Sequence, residues 1–477
     1  MIYWEVLAWS VLRAVSLSIV ALPPAVAIHR QLRHHSGFGR RTLLVLSLLP
    51  LFVPDLVIGF TYRLTASRLM HSAIATELLY AGLLLFRLTA FQLAVLLLMP
   101  VSGVSDSSVH SWNLIPRRDP SWWLMAVRLR MQGPWRPMVV GVLAGVLIGL
   151  QEFETAALVQ VDQHPIALSV WLFDAHAGGE NLLISLRYVA TTVLLQLALL
   201  VPAFRLLPKG EAADTAADSA TAAVRSWTRL TPVLFFVIAG ILTLVVWPVW
   251  SNAAEALIGF KVQFARGELD RRLVQVLTSL LPSALAAVLS LLAAAILLQS
   301  ARRWVLACAV VPGLCGSLFI SLLLLGLFQL PGFRIFYDTS LPMILGMFLF
   351  ALPRAVLLAY VLRVLLPQTS RHSLTLLKTA QSKSVRQQVE RLWWRFVEVR
   401  WLIAAGILTH WCFWDVAIVS NLRPVRFEPT VLRLYSEMHW GRSEDLLATT
   451  FLAAIAPVFV CAVAAAVWRA FAKRRRR

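Results

Sequence analysis

About eleven apolar stretches, each near the 20 residues a helix needs to cross a bilayer, account for most of this 477-residue chain. No other feature constrains the fold as tightly. A backbone in hydrocarbon must satisfy its own hydrogen bonds, and a helix does so within one segment. The earlier stretches lie near 7–28, 43–63, 79–100, 138–160 and 184–206. The later ones lie near 229–250, 274–299, 304–330, 341–365, 401–420 and 446–468. Composition agrees, with 59% hydrophobic and only 14% charged residues, a balance that soluble domains do not use. The predicted class is an all-α polytopic membrane protein. Between the two groups, 208–227 is built of Ala, Asp, Ser and Thr, the composition of a flexible linker. It divides the chain into a first half, 1–207, and a second, 228–477.

The net charge of +20 raises the question of nucleic acid. The basic residues, however, sit between apolar spans and in the KRRRR terminus rather than interleaving with aromatics on a soluble domain. They are explained by orientation in a lipid bilayer, and no nucleic-acid partner is expected. Segments 29–42, 101–137, 207–228, 300–303, 363–400 and the tail together hold roughly 29 basic residues, against roughly 11 in the opposite loops. That tally places these segments in the cytoplasm, with the N-terminus outside and the C-terminus inside. Glu5 interrupts the first apolar stretch, which has span length, so a cleavable signal is not expected. Cys308, Cys315, Cys412 and Cys461 lie in apolar segments without a C-x-x-C, and read as small buried hydrophobes.

The two halves repeat each other in the same direction. VPDLVIGF (53–60) echoes VPGLCGSLF (311–319), and the spans at 86–98 and 353–366 each carry an early arginine, Arg87 and Arg354. The segment 135–159 echoes 399–419, aligning Arg136 with Arg400 and placing Glu152, Glu154 and Asp415 at similar depth. Downstream, His176, Gly179 and Glu180 run in step with His439, Gly441 and Glu444. Parallel repeats set a pseudo-two-fold axis along the membrane normal, which is a pathway geometry.

Before the second of these spans lies a basic amphipathic segment. Val385, Val389, Leu392, Trp393 and Phe396 fall at i, i+4, i+7, i+8 and i+11, one apolar stripe of a helix, with Arg386, Glu390 and Arg391 opposite. KTAQSKS (378–384) upstream reads as a turn between two short helices. An interfacial connector that snorkels at the membrane surface has the same pattern.

These residues resemble the permease of bacterial binding-protein-dependent ABC importers of the type I fold, and more narrowly the fused two-half permeases of the ferric-iron and thiamine group. The family's loop E-A-A-x-x-x-G finds its counterpart at 378–384, which keeps Ala380 but has Lys378 for Glu and Ser384 for Gly. FVEVRWLIAAG (396–406) matches the family's following segment at Arg400 and Gly406. QGPWRPMVVG (132–141) keeps Arg136-Pro137, while LIPRRDP (114–120) departs from the loop motif and the first span expected of the first half is absent. The resemblance implies an inner-membrane permease that docks ATP-binding cassette ATPase subunits through Lys378, Ala380, Ser384, Val385, Val389, Leu392 and Phe396. An external solute-binding protein would deliver the solute. The implied substrate is ferric iron first, thiamine or another small organic solute second. The chain has no G-x-x-x-x-G-K-[ST], so it is not expected to be an enzyme, and ATP and magnesium belong to the partner.

The pathway candidates are Glu152, Glu154, Asp415, Asp55, Arg87 and Arg354. At about 1.5 Å per residue the first three stand some two-thirds of the way across. A carboxylate there costs about 2.5–3.5 kcal/mol unless it meets water, a partner or backbone donors. The structural use is a pair with an arginine or with the indole of Trp411 or Trp414. The functional use is a cavity lining suited to a cationic solute. Arg87 and Arg354 suit anion selection or, as with Asp55 for Arg87, pairing with a buried acid. No resident metal is assigned: His176 and His439 with Glu180 and Glu444 read first as helix-cap and loop groups, and second as metal ligands facing a binding protein. The same in-span acids also motivate an ion-coupled carrier. A membrane-embedded enzyme is the other class considered, and no H-E-x-x-H or G-x-S-x-G supports it.

Overall fold

The computed structural model describes residues 3–34, 37–99, 106–116, 118–133, 135–160, 166–178, 181–206, 230–300, 303–364, 373, 376–377, 388–389, 392–441 and 443–474. Every regular element among them is helical. The 208–227 linker lies outside the described residues, as do Lys378, Ala380, Ser384 and Val385. Among the described residues, seven helices are long and apolar enough to cross a membrane, and the number reaches 11 when each of four bent pairs counts as one span. The protein is thus a multi-pass helical membrane protein. The chain forms two compact units, Met1–Leu172 with Ala190–Ser251, and Phe173–Val189 with Asn252–Arg477.

The first unit begins with α1 (Tyr3–His34), α2 (Gly37–Leu48), α3 (Asp55–Leu69) and α4 (Ala73–Leu98). Then come α5 (Asp106–Leu114), α6 (Pro120–Gln132), α7 (Trp135–Gln151) and α8 (Glu154–Val159). α9 (Leu168–Ala177) and α10 (Leu182–Leu206) follow, with Phe173–Val189 belonging to the second unit, and α11 (Leu230–Ile241) runs through a π-helical turn into α12 (Trp247–Ala265), which belongs to the second unit from Asn252 on. The second predicted span is not straight. Pro54 removes a backbone donor and forces Val53 into an extended conformation (φ −79°, ψ 125°), so α2 with its 3₁₀ turn meets α3 at 77°. The fourth predicted span also breaks, at Glu152 and Phe153, between α7 and α8.

Small residues bring these helices together. α7 carries Gly141, Gly145 and Gly149 one turn apart. A Cβ on Gly145 would lie 2.8 Å from Ser18 Oγ of α1 and 2.9 Å from Gln92 Nε2 of α4. Gly59 of α3 does the same against α8, where a Cβ would stand 3.0 Å from Leu158 Cβ. Ala25, Ile28, Leu32, Leu43, Leu93 and Val237 fill an apolar core among α1, α2, α4 and α11.

The second unit holds α13 (Leu269–Ser300), α14 (Arg303–Leu314), α15 (Ser317–Gln329) and α16 (Leu341–Val364). After a π-helical turn, Trp394–Glu398, it continues as α17 (Val399–Phe413), α18 (Val416–Leu422), α19 (Thr430–Trp440) and α20 (Glu444–Arg474). α14 meets α15 at 96° and α17 meets α18 at 61°. The first of these breaks passes through Gly316 at φ 99°, ψ 160°, a conformation that essentially only glycine adopts.

Element order and length make the repeat explicit. α1 and α13 have 32 residues each, and α2 and α14 have 12 each. α3 and α15 have 15 and 13, α4 and α16 have 26 and 24, and α7 and α17 have 17 and 15. α8 and α18 have 6 and 7, and α9 and α19 have 10 and 11. α10 and α20 close the two series. Among the described residues, α5, α6 and α11–α12 have no counterpart in this order. The breaks set the register: Asp55 and Ser317 are both the first residue of a post-break helix, whereas the similarity of VPD to VPG pairs Asp55 with Gly313.

Candidate functional site

The chemistry of the first unit gathers at the α2–α3 and α7–α8 breaks. Asp55 opens α3 and Glu154 opens α8, and both acids are favoured by the partial positive charge of a helix N-terminus. Phe153, at the cap position of α8, has no capping side chain, and Glu152 supplies the cap instead. Its carboxylate accepts the amide hydrogens of Thr155 at 2.7 Å and Ala156 at 3.2 Å, and the phenolic hydrogen of Tyr80 at 2.6 Å. Ser169 donates its hydroxyl to the Glu152 carbonyl. Glu152 is only 7% exposed, so these donors take over the role of water. Thr155 Oγ1 donates to the Asp55 carbonyl at 3.3 Å and joins one break to the other.

Arg87 of α4 forms an ion pair with Asp55, as the sequence predicts. Behind Tyr80, buried Arg13 of α1 donates from Nη2 to Glu77 Oε2 at 3.0 Å and stands 5.1 Å over the Tyr80 ring. Carboxylate oxygens of Asp55, Glu152 and Glu154 all lie within 4.8 Å of one another. An oxygen-only set of this kind suits a hard cation. Within this set Glu152 has its donors in Tyr80 and the α8 amides, and Asp55 has its counter-charge in Arg87.

The second unit repeats the plan with fewer charges. Asp415 is 4% exposed and caps α18, accepting the Ile418 amide at 2.8 Å. It also has a side-chain hydrogen bond with Ser317 at the start of α15 and faces Arg354. Arg354 additionally donates to the Phe350 carbonyl at 2.7 Å, its guanidinium 3.7 Å over the Phe350 ring. Asn421 of α18 donates to Ser321 Oγ of α15 at 2.9 Å. Ser317 stands where the first unit has Asp55, which leaves a single acid at this break. Of the two indoles named as possible partners, that of Trp414 is buried without a hydrogen-bond partner among the described residues.

Of the predicted coupling loop, Val389 is buried at 3% exposure while Leu392 is 42% exposed. The stripe therefore divides: one residue is covered within the chain and one faces outward. The Phe396 side chain lies outside the described residues. His439 Nδ1 lies 2.8 Å from the Tyr435 carbonyl, and its ring stands edge-on to Tyr435. Burial holds the His176 imidazole below its ordinary range. Gly179 and Glu180 lie outside the described residues.

Sequence reasoning missed Tyr80, Ser317 and the Arg13–Glu77 pair. For Arg13 and Glu77 a signal existed, since an ionisable residue in or beside an apolar span needs a partner. Tyr80 and Ser317 carried none. Comparison with protein families, curated proteins and solved structures finds no match to the chain.

Proposed function

We propose that the chain is the permease of an ATP-driven importer in a bacterial inner membrane, forming the solute pathway and docking separate ATP-binding cassette ATPase subunits on its cytoplasmic loops. One observation carries this reading: the eight-element repeat with two broken spans in each copy, α2–α3 and α7–α8 in one and α14–α15 and α17–α18 in the other. Counting each bent pair once, Tyr3–Leu206 crosses the membrane five times and Leu269–Ala470 crosses five times, with Leu230–Ala265 between them. An odd number of crossings followed by one more starts both copies from the same side. The inserted span gives both copies the same topology, which a parallel-repeat permease requires. The loop resemblance at 378–384 and 396–406 supports the ATPase as energy source, and an external binding protein completes the system.

Acids at the breaks favour a cationic solute, ferric iron before thiamine or another organic cation. The close set Asp55, Glu152 and Glu154 favours a second reading, an ion-coupled carrier, because discontinuous helices commonly hold coupling ions. Uptake into vesicles separates the two. The importer reading expects uptake only with the ATPase, ATP and a loaded binding protein, and no effect from collapsing the proton gradient. Uptake by the chain alone, driven by an ion gradient, would overturn it.

A further inference from the structure

We infer that α6 lies in the membrane interface and receives anionic phospholipid headgroups on its outward face. The helix is firmly delimited: Asp119 accepts the Ser121 amide at 2.8 Å, Pro120 occupies the first turn, and Gly133 caps the end. It meets the span formed by α7 at 72°, so when α7 crosses the bilayer α6 runs nearly along its surface. Its inner side is already used. Ala126 and Leu129 are buried, and Trp122 packs at 5.1 Å on Trp112 of α5.

The outer side is apolar and open. Trp123 is 63% exposed, Leu124 74% and Val127 45%. At 100° per residue these side chains span an arc of about 100°, with Arg130 at one edge and Arg128 at the other. Both arginines are exposed, and no acid occurs between Pro120 and Gln132. An apolar stripe edged by cations matches a layer with acyl chains below and phosphates at its rim. Charge complementarity selects anionic lipid as the occupant. This inference does not depend on the importer reading.

The test uses the full chain in lipid vesicles, with Cys308, Cys315, Cys412 and Cys461 replaced by alanine and a fluorophore on Leu124→Cys or, as a control, Ser121→Cys. Vesicles contain phosphatidylcholine alone or phosphatidylcholine with phosphatidylglycerol, and acrylamide is the aqueous quencher. The expected result is several-fold stronger protection at position 124 in the anionic vesicles, little protection at 121, and loss of the difference in Arg128→Gln/Arg130→Gln. Each arginine near an anionic surface is worth about fivefold. Both arginines are exposed, so the double variant is expected to fold, with unchanged thermal unfolding in detergent as the check. Equal quenching at 124 in the two lipids, whether high or low, overturns the inference. Protection that arises only when an ATPase or other protein is added places a protein on this face and also overturns it.

Discussion

Tyr80 of α4 donates its phenolic hydrogen to Glu152 Oε2 across 2.6 Å, and thereby holds the carboxylate that caps the second part of a broken span. Tyr80→Phe is expected to lower stability by about 1.5–3 kcal/mol, the usual range for a hydrogen bond to a charged group. Glu152→Gln weakens the same network, so the double variant is expected to cost less than the sum of the singles. Thermal unfolding of the four proteins in detergent measures this. Strict additivity would show that the two side chains act independently.

Arg87 and Asp55 form the charge pair beside that cap. Arg87→Ala is expected to destabilise by about 3–5 kcal/mol, because it leaves a carboxylate within the span without its counter-charge. Arg87→Met with Asp55→Asn is expected to recover much of the loss. If the double variant folds and the importer reading holds, uptake separates structure from passage. Normal transport assigns the pair to structure, and absent transport assigns it to the pathway.

Gly316 adopts φ 99°, ψ 160° at the α14–α15 break. Gly316→Ala is expected to cost about 1–3 kcal/mol for the backbone conformation alone. Gly39→Ala is the matched control, since Gly39 lies within α2 and a Cβ there meets nothing within 4 Å. It is expected to be neutral or slightly stabilising. Equal losses at both positions, measured by unfolding, would remove the strain argument.

Leu392 offers the outward member of the coupling stripe. On the importer reading, Leu392→Asp is expected to release the ATPase from purified complex by tenfold or more in affinity, roughly the 1.4 kcal/mol of a modest apolar contact. Val389→Asp is expected instead to reduce folded protein, because Val389 is buried within the chain. Unchanged ATPase affinity in Leu392→Asp would remove Leu392 from the docking surface.

His176 supplies a dependence on pH. Partial burial lowers its folded pKa below the ordinary 6.5, so folding favours the neutral ring. The unfolded chain then binds the extra proton first, and stability falls as pH drops below about 6.5 until the folded pKa is passed. His176→Gln is expected to flatten the profile over that window when unfolding is measured from pH 7 downward. An identical profile would exclude His176 as a source of acid sensitivity.

The spans were legible in the sequence because apolar length is a property of consecutive residues, whereas the echo of 53–60 with 311–319 runs four residues out of the register that the breaks set, Asp55 with Ser317. The breaks were less so. Pro54 and Gly316 both disturb a helix, yet Pro282 and Pro353 sit within α13 and α16 without ending them. Whether a proline bends or divides a span depends on which neighbours satisfy the freed backbone groups, and those neighbours are distant in sequence. The Arg87–Asp55 pair was legible because two opposite charges in adjacent spans have few alternatives. The capping roles of Glu152 and Asp415 were not. The acids stood out, but their partners are backbone amides, which every residue carries.

The bent spans also bear on how the protein is made. α3 has 15 residues and α15 has 13, about 23 and 20 Å of helix, too short to settle alone across a hydrocarbon layer near 30 Å thick. Each is tied by a hydrogen bond to a later helix: Thr155 to the Asp55 carbonyl in one unit, and Asn421 to Ser321 in the other, both across 100 residues of chain. At about 5–20 residues per second, synthesis leaves each early half waiting roughly 5–20 seconds for that later helix. Slowing elongation between residues 70 and 150 should therefore expose more of α3 to proteolysis than the same delay placed after Val159.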